Sequence, residues 1–257
     1  MMRARLDDRG DRLVVVNMNA ARRGALSPDL YDAITGAVEQ AAQPRVRAVI
    51  LTSEGGFFCA GGDLNVLIDR QSMGEDERRA QIEKLHERIR AIRACPVPVI
   101  AAVEGGAAGA GLSIALACDL IVAAEDAQFT AAYVKAGLVP DGGLTAALAR
   151  SLPRPLAMEM CLLGRPVSAE RMAALGAVNM LTAPGGAEAA AMELADALAE
   201  GPRRTQGAIR AMVAAAYDSA EAEQLNRERD AMARATGSAE AAEGIAAFLE
   251  KRKPDWS

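Results

Sequence analysis

At 257 residues with 51% hydrophobic content, the chain can bury one large core, or a core with a small appendage, so one main domain is expected. Its 29 Lys and Arg against 34 Asp and Glu give a net charge of -5, and aromatic residues make up only 3%, which leaves a nucleic-acid partner without neutralising charge or base-stacking platforms. The four cysteines, Cys59, Cys95, Cys118 and Cys161, form no CxxC pair and there is one histidine, so the expectation is a cytoplasmic protein with reduced thiols and no metal site.

The amino-terminal stretch MMRARLDDRGDR is charged from Arg3 onward and lacks the apolar centre of an export signal. Residues 12–18 (RLVVVNM) and 46–52 (VRAVILT) are β-branched runs bounded by turn residues and read as buried strands. Between them Ser27, Pro28 and Asp29 open a helix, with Ser27 as N-cap and Leu30, Ile34 and Val38 on one face. A charged segment at 69–79 reads as loose and solvated, and a helix follows around 82–92. Then come a strand at 97–103, a Gly-rich turn, a helix at 112–118 and a strand at 120–123. The uncharged run 105–118 is shorter than the ~20 apolar residues of a membrane-spanning helix. Alternating strands and helices predict an α/β fold with mostly parallel pairing. Beyond about residue 185 the composition turns to Ala, Glu and Arg at helical spacing, predicting a helical tail packed on the main domain or on a neighbouring subunit.

Three segments can carry chemistry. In Phe57-Phe58-Cys59-Ala60-Gly61-Gly62-Asp63-Leu64, consecutive glycines allow a ligand close to the main chain, where a free N–H can donate to it. The alternative is a tight strand-to-helix turn capped by Asp63. In Gly105-Gly106-Ala107-Ala108-Gly109-Ala110-Gly111-Leu112, small residues uncover the first N–H groups of a helix, a seat for developing negative charge; close packing alone would favour the same residues. This segment is neither a P-loop nor a convincing GxGxxG. In the third segment, 127–143, Asp141 stands between Pro140 and Gly142-Gly143, as a turn former or as a carboxylate held at a cleft mouth.

Together these segments, in this order, resemble the enoyl-CoA hydratase/isomerase family, the crotonase superfamily. Arg23-Gly24-Ala25-Leu26-Ser27 is similar to the family's first acyl-CoA loop, FCAGGDL (58–64) to its first oxyanion segment and VEGGAAGAGLSIALACDLIVAAEDAQF (103–129) to its second. The ending EGIAAFLEKR (243–252) is similar to its C-terminal signature. The resemblance implies a spiral of ββα turns over 1–185 and a helical region over 186–257 that builds trimers or hexamers. It also implies an acyl-CoA thioester as substrate, with coenzyme A as part of that substrate and no separate cofactor. The thioester oxygen would meet the N–H groups of Gly62 and Ala110. Arg23, Ala25, Leu26, Ala60, Asp63, Leu64, Gly109 and Tyr133 would line the substrate, and Phe248 and Lys251 would reach a neighbouring subunit's CoA site.

The chain departs from the hydratases where their two catalytic glutamates would fall, at Ser113 and Tyr133. Neither side chain is a base near neutrality. Asp141, eight residues beyond Tyr133, matches the aspartate of the isomerase and dehalogenase branches, and the local sequence resembles the ring-epoxide phenylacetyl-CoA and Δ3,Δ2-enoyl-CoA isomerases. The expectation is therefore an isomerase with Asp141 as base. A hydratase or hydrolase, and a catalytically silent acyl-CoA binder, are the alternatives. His86 reads as an ordinary helix-edge residue, Asp119 as a structural cap or ion-pair partner, and Glu104 as a solvated strand end. Tyr133 reads as shaping the acyl pocket or as a hydrogen-bond donor.

Overall fold

A computed structural model describes residues 2–256. In chain order the first half contains β1 (Ala4–Asp8), β2 (Arg12–Asn17), α1 (Pro28–Gln40), β3 (Ala48–Ser53), α2 (Leu64–Arg70) and α3 (Glu75–Ala94). There follow β4 (Val99–Val103), β5 (Gly106–Ala108), α4 (Ala110–Ala115), β6 (Leu120–Ala124), β7 (Gln128–Thr130), α5 (Leu144–Ser151) and α6 (Arg154–Leu163). The remainder is β8 (Val167–Ser168), α7 (Ala169–Ala174), β9 (Met180–Thr182) and the helices α8 (Ala187–Ala199), α9 (Arg203–Ala216), α10 (Glu221–Thr236) and α11 (Ala239–Glu250).

The strands expected at 12–18, 46–52, 97–103 and 120–123 are β2, β3, β4 and β6, and they form the centre of a six-stranded sheet in the order β1-β2-β3-β4-β6-β9. All pairings are parallel except β1 with β2. Their apolar runs have no polar alternation because both faces are covered. On one face Leu13, Val15, Val49, Leu51 and Val99 pack with Leu30 and Ile34 of α1 and Leu85, Ile89 and Ile92 of α3. On the other, Ala187, Ala191 and Ala195 of α8 meet Val14, Val16, Ile50, Ile100 and Val122. Alanine at every fourth position lets this helix lie close to the sheet. Ser27 caps α1 as expected, its hydroxyl accepting from the Leu30 N–H at 3.2 Å.

A second, three-stranded sheet carries the functional loops: β5 pairs parallel with β7, and β7 antiparallel with β8. These strands have three residues or fewer, too short for a periodic signal to mark them in the sequence. β1 is unmarked for another reason: its Arg5 pairs with Asp7 and with Glu54, so that charge masks an edge strand fixed by backbone pairing. The charged segment 69–79 is a correction as well. It ends α2 and begins α3, where Glu75, Asp76 and Glu77 complement the helix amino terminus and Arg79 pairs with Glu75.

The carboxy-terminal helices dock largely through arginines that satisfy loose carbonyls. Arg210 of α9 donates to the carbonyls of Arg93 (2.8 Å) and Cys95 (2.6 Å) at the end of α3 and pairs with Asp119 at 2.5 Å. Asp119 also accepts the Val99 N–H, so it is an ion-pair partner holding β4. Ile209, Val213, Leu225, Met232, Ile245, Phe248 and Leu249 remain exposed on α9 to α11. Among the described residues no helix is long and apolar enough to cross a membrane.

Candidate active site

Loop 22–26 and loop 59–62 lie side by side. Buried Asn17 and Asn19 hold the first by donating from their side chains to the carbonyls of Gly24 (2.7 Å) and Ala25 (2.8 Å). The Ala60 N–H then donates to the Arg23 carbonyl at 2.9 Å, and the Leu26 N–H to the Gly61 carbonyl at 2.8 Å. Cys59 forms a parallel bridge with Ala107, and the Ala108 N–H donates back to the Cys59 carbonyl at 2.9 Å. The main chain at 59–62 therefore passes directly against the start of α4. The approach is close enough that a Cβ on Gly61 would stand 2.8 Å from the Ala108 carbonyl and 3.0 Å from the Ala110 nitrogen. The Gly109 N–H is committed to the Thr130 carbonyl at 2.9 Å. Those of Gly62 and Ala110 donate to no protein group among the described residues. Two donors from different chain segments are thus left free beside each other, Gly62 on the surface and Ala110 just beneath it.

Asp141 enters from the far side. Tyr133 donates its hydroxyl to Asp141 Oδ1 at 2.7 Å, while its ring lies 3.9 Å from where a Gly109 Cβ would stand. The ring thus links the carboxylate to the start of α4. Ser113, buried inside α4, donates to the Asp141 main-chain carbonyl at 3.0 Å and lies 3.3 Å from the Tyr133 hydroxyl. Burial first, and then the charge of Asp141, push the Tyr133 phenol far above its ordinary range. It is a donor here and not a base. Burial likewise pushes the Cys59 thiol up to about 12, which leaves it inert as a nucleophile.

Residues 8–257 match the family model described as enoyl-CoA hydratase/isomerase. The chain belongs to this family. A 1,2-epoxyphenylacetyl-CoA isomerase of Escherichia coli is 37% identical over 213 residues, 82% of this chain and 81% of its own. A probable enoyl-CoA hydratase of Rhodobacter capsulatus is 35% identical over 248 residues, 96% of this chain and 92% of its own. The crystal structure of an enoyl-CoA hydratase from a Polaromonas species is similar with a TM-score of 0.94 at 41% identity, covering 98% of both chains. The crotonase-type fold and membership of an enzyme family acting on acyl-CoA are thereby established for the chain.

In this enoyl-CoA hydratase/isomerase family member the structure brings Gly62, Gly109, Ala110, Ser113, Tyr133 and Asp141 together. Ala25, Leu26 and Ala60 form the adjoining wall, and Arg23, in the left-handed region at φ 51°, lies over the Phe57 ring. Asp63 caps α2 through the Asn65 N–H and pairs with Arg22, so its carboxylate is occupied. Leu64 opens α2 exposed. Phe248 and Lys251 are not brought to these loops within the chain: Phe248, 83% exposed, sits on α11, which packs chiefly on α10, and Lys251 caps the end of that helix.

Two readings need correction. Glu104 is not a free strand end, since its two oxygens accept the Gly185 and Ala187 N–H groups at 3.0 and 2.8 Å and so cap α8. His86 is not an idle helix edge; its Nε2 accepts the Gly142 N–H at 3.2 Å, one residue from Asp141. Tyr31 of α1 escaped notice altogether. Its ring lies under the Arg88 guanidinium at 5.3 Å, and burial, then the charge of Asp141, push its phenol up to about 12. Its place one residue after Leu30, at the edge of the buried face of α1, was the available signal.

Proposed function

We propose that the chain is an acyl-CoA isomerase that moves a proton through a thioester enolate, with Asp141 as the base and Gly62 and Ala110 as the oxyanion donors. The observation that carries this reading is the Ser113–Tyr133–Asp141 cluster. At the two positions where the hydratases' glutamates would fall stand a buried serine that holds the Asp141 main chain and a protonated tyrosine that donates to its carboxylate. The carboxylates of Asp63, Glu104 and Asp119 are already engaged elsewhere. One carboxylate suffices for a proton shift, whereas delivering and activating a water calls for more.

In this mechanism the thioester oxygen lies between the two free N–H groups, each worth ~3–4 kcal/mol in the transition state. Asp141 removes a proton from C2. The electron pair moves through the enolate, and Asp141 returns the proton to C4 of a 3-enoyl substrate, leaving the double bond conjugated with the thioester. Tyr133 orients the carboxylate throughout. Loops 22–26 and 59–62 receive the coenzyme A portion, which is part of the substrate, and no cofactor is required. The exposed apolar side chains of α9 to α11 support a trimer or a dimer of trimers, in which Phe248 and Lys251 complete a neighbour's CoA site.

The names of several relatives favour a second reading, hydration of a 2-enoyl-CoA with water organised by Tyr133 and Asp141. Ultraviolet absorbance separates the two, since isomerisation of a 3-enoyl-CoA creates the conjugated thioester and hydration destroys it. A panel that includes ring-epoxide phenylacetyl-CoA, run with wild type and Asp141→Asn, tests the proposal. Full isomerase turnover by Asp141→Asn overturns it, and tight CoA binding with no turnover on any substrate favours a silent binder.

A further inference from the structure

We propose that His86 is a positioning residue: held as the neutral Nδ1–H tautomer beside Glu83, it accepts the Gly142 N–H on Nε2 and so fixes the turn that presents Asp141. The proposal rests on Asp141 as base and adds a residue to that assignment.

The turn needs such a clamp. Gly142 and Gly143 are both in the left-handed region, at φ 62° and 74°, and the Leu144 N–H donates to the Asp141 carbonyl at 3.2 Å. Two side chains from different helices add to that closure. Ser113 of α4 donates to the Asp141 carbonyl, and His86 of α3 accepts from the next N–H along the chain. The fit is tight, for a Cβ on Gly142 would stand 2.8 Å from Ser113 Cβ and 3.2 Å from Leu85 Cδ2. Gly142 is buried, so its N–H has no water to fall back on if His86 is removed.

Only an unprotonated ring nitrogen can accept a hydrogen bond, so the 3.2 Å contact requires the lone pair on Nε2 and, in a neutral ring, the proton on Nδ1. Nδ1 faces Glu83 Oε2 at 3.5 Å, which favours that tautomer. Glu83 is shared with Arg90 on the same helix. The charged and titratable groups beside the imidazole and its turn include Glu83 and Arg90 from α3, Arg93 of the same helix, whose guanidinium would stand 3.4 Å from a Cβ on Gly143, and Asp141 with its donor Tyr133. A side chain at position 86 without an acceptor leaves the Gly142 N–H unpaired, and the Asp141 turn loses one of its two clamps.

Because His86 is the only histidine, the full-length protein labelled with ¹⁵N-histidine gives a single imidazole spin system. Near neutral pH the spectrum should show the Nδ1–H tautomer. On the 3-enoyl-CoA substrate, His86→Leu should lower kcat by ~10–100-fold, the scale of a misplacement near 1 Å, with KM changed by less than ~3-fold. His86→Gln, which keeps an acceptor, should recover most of that loss. An Nε2–H tautomer, an unchanged kcat in His86→Leu, or a Gln variant as impaired as the Leu variant overturns the proposal. Should the Leu variant fail to fold, the tautomer and the Gln variant still decide. Full turnover by Asp141→Asn sinks the base assignment alone, since the tautomer is read without any substrate.

Discussion

Gly111 gives the sharpest test of the cradle's geometry. It lies in the first turn of α4 with an ordinary helical conformation, so intrinsic propensity alone says that Gly111→Ala should stabilise the chain by ~1 kcal/mol. The structure says the opposite. The added Cβ would fall on the Cys59 carbonyl oxygen and 2.7 Å from Cys59 Cβ, and the obstacle is mostly main chain that cannot rotate away. Relief requires segment 59–62 to retreat by about 1 Å from α4, which parts the free N–H groups of Gly62 and Ala110. Overpacking of this kind costs ~1–3 kcal/mol, and with ~2–4 °C per kcal/mol for a chain of this size the melting temperature should fall by several degrees. A shift near 1 Å in the donors should also lower kcat by ~100-fold. The internal control is Gly36→Ala in α1, where the new Cβ meets Leu6 Cδ2 at 3.5 Å and Gln40 Nε2 at 4.0 Å, both ordinary contacts, and should stabilise by ~0.5–1 kcal/mol. Thermal unfolding and steady-state kinetics on both variants suffice. If Gly111→Ala melts at or above wild type with full turnover, the two segments do not meet as described.

Tyr133→Phe removes the donor to Asp141 and should lower kcat by ~10–100-fold, in line with ~1.5–3 kcal/mol for a hydrogen bond to a charged group. Because Tyr133 is held protonated well above its usual range, wild-type activity should show no loss from phenol ionisation near pH ~10; such a loss, absent in Tyr133→Phe, would contradict its burial. Glu104→Gln leaves one acceptor for the two N–H groups at the start of α8 and should cost ~1–2 kcal/mol in thermal unfolding, with kcat unchanged. Glu243 is held down to about 2 by hydrogen bonds from Arg252 and then from the Asp255 N–H. Its folded-state value lies below the ordinary 4.5, so the α11 clamp is intact above that value and weakens as pH falls toward about 2. Amide protection in 239–256, taken relative to the intrinsic exchange rate at each pH, should fall over that window in wild type and stay level there in Glu243→Gln.

The central strands were legible because parallel strands covered on both faces must be continuously apolar, as in β2, where Leu13, Val14, Val15 and Val16 are all buried. The glycine-rich segments were legible because only glycine tolerates main chain so close at Gly61 and Gly111. What escaped was held by backbone pairing or by partners distant in sequence. Strand β1 is charged and survives on its register with β2. The role of His86 depends on an N–H 56 residues away, and that of Glu104 on N–H groups 81 and 83 residues away. No local pattern at either residue encodes such contacts. Position 133 read ambiguously for the same reason, since whether a phenol packs or donates depends on where Asp141 comes to rest.

The bridge between Cys59 and Ala107 joins the two segments that carry the free N–H groups. Both donors belong to the peptide backbone, so no side-chain substitution other than proline deletes them; otherwise only a change that separates the two segments removes the pair. The acidic partner, by contrast, hangs from a turn clamped by Ser113 and His86, with its carboxylate held by Tyr133, and each of these side chains is replaceable by a single mutation. On the proposed reading, the charge-stabilising half of the site is therefore nearly immune to sequence drift while the proton-handling half is open to it. A chain built this way would exchange one reaction on a thioester for another without giving up its grip on the thioester.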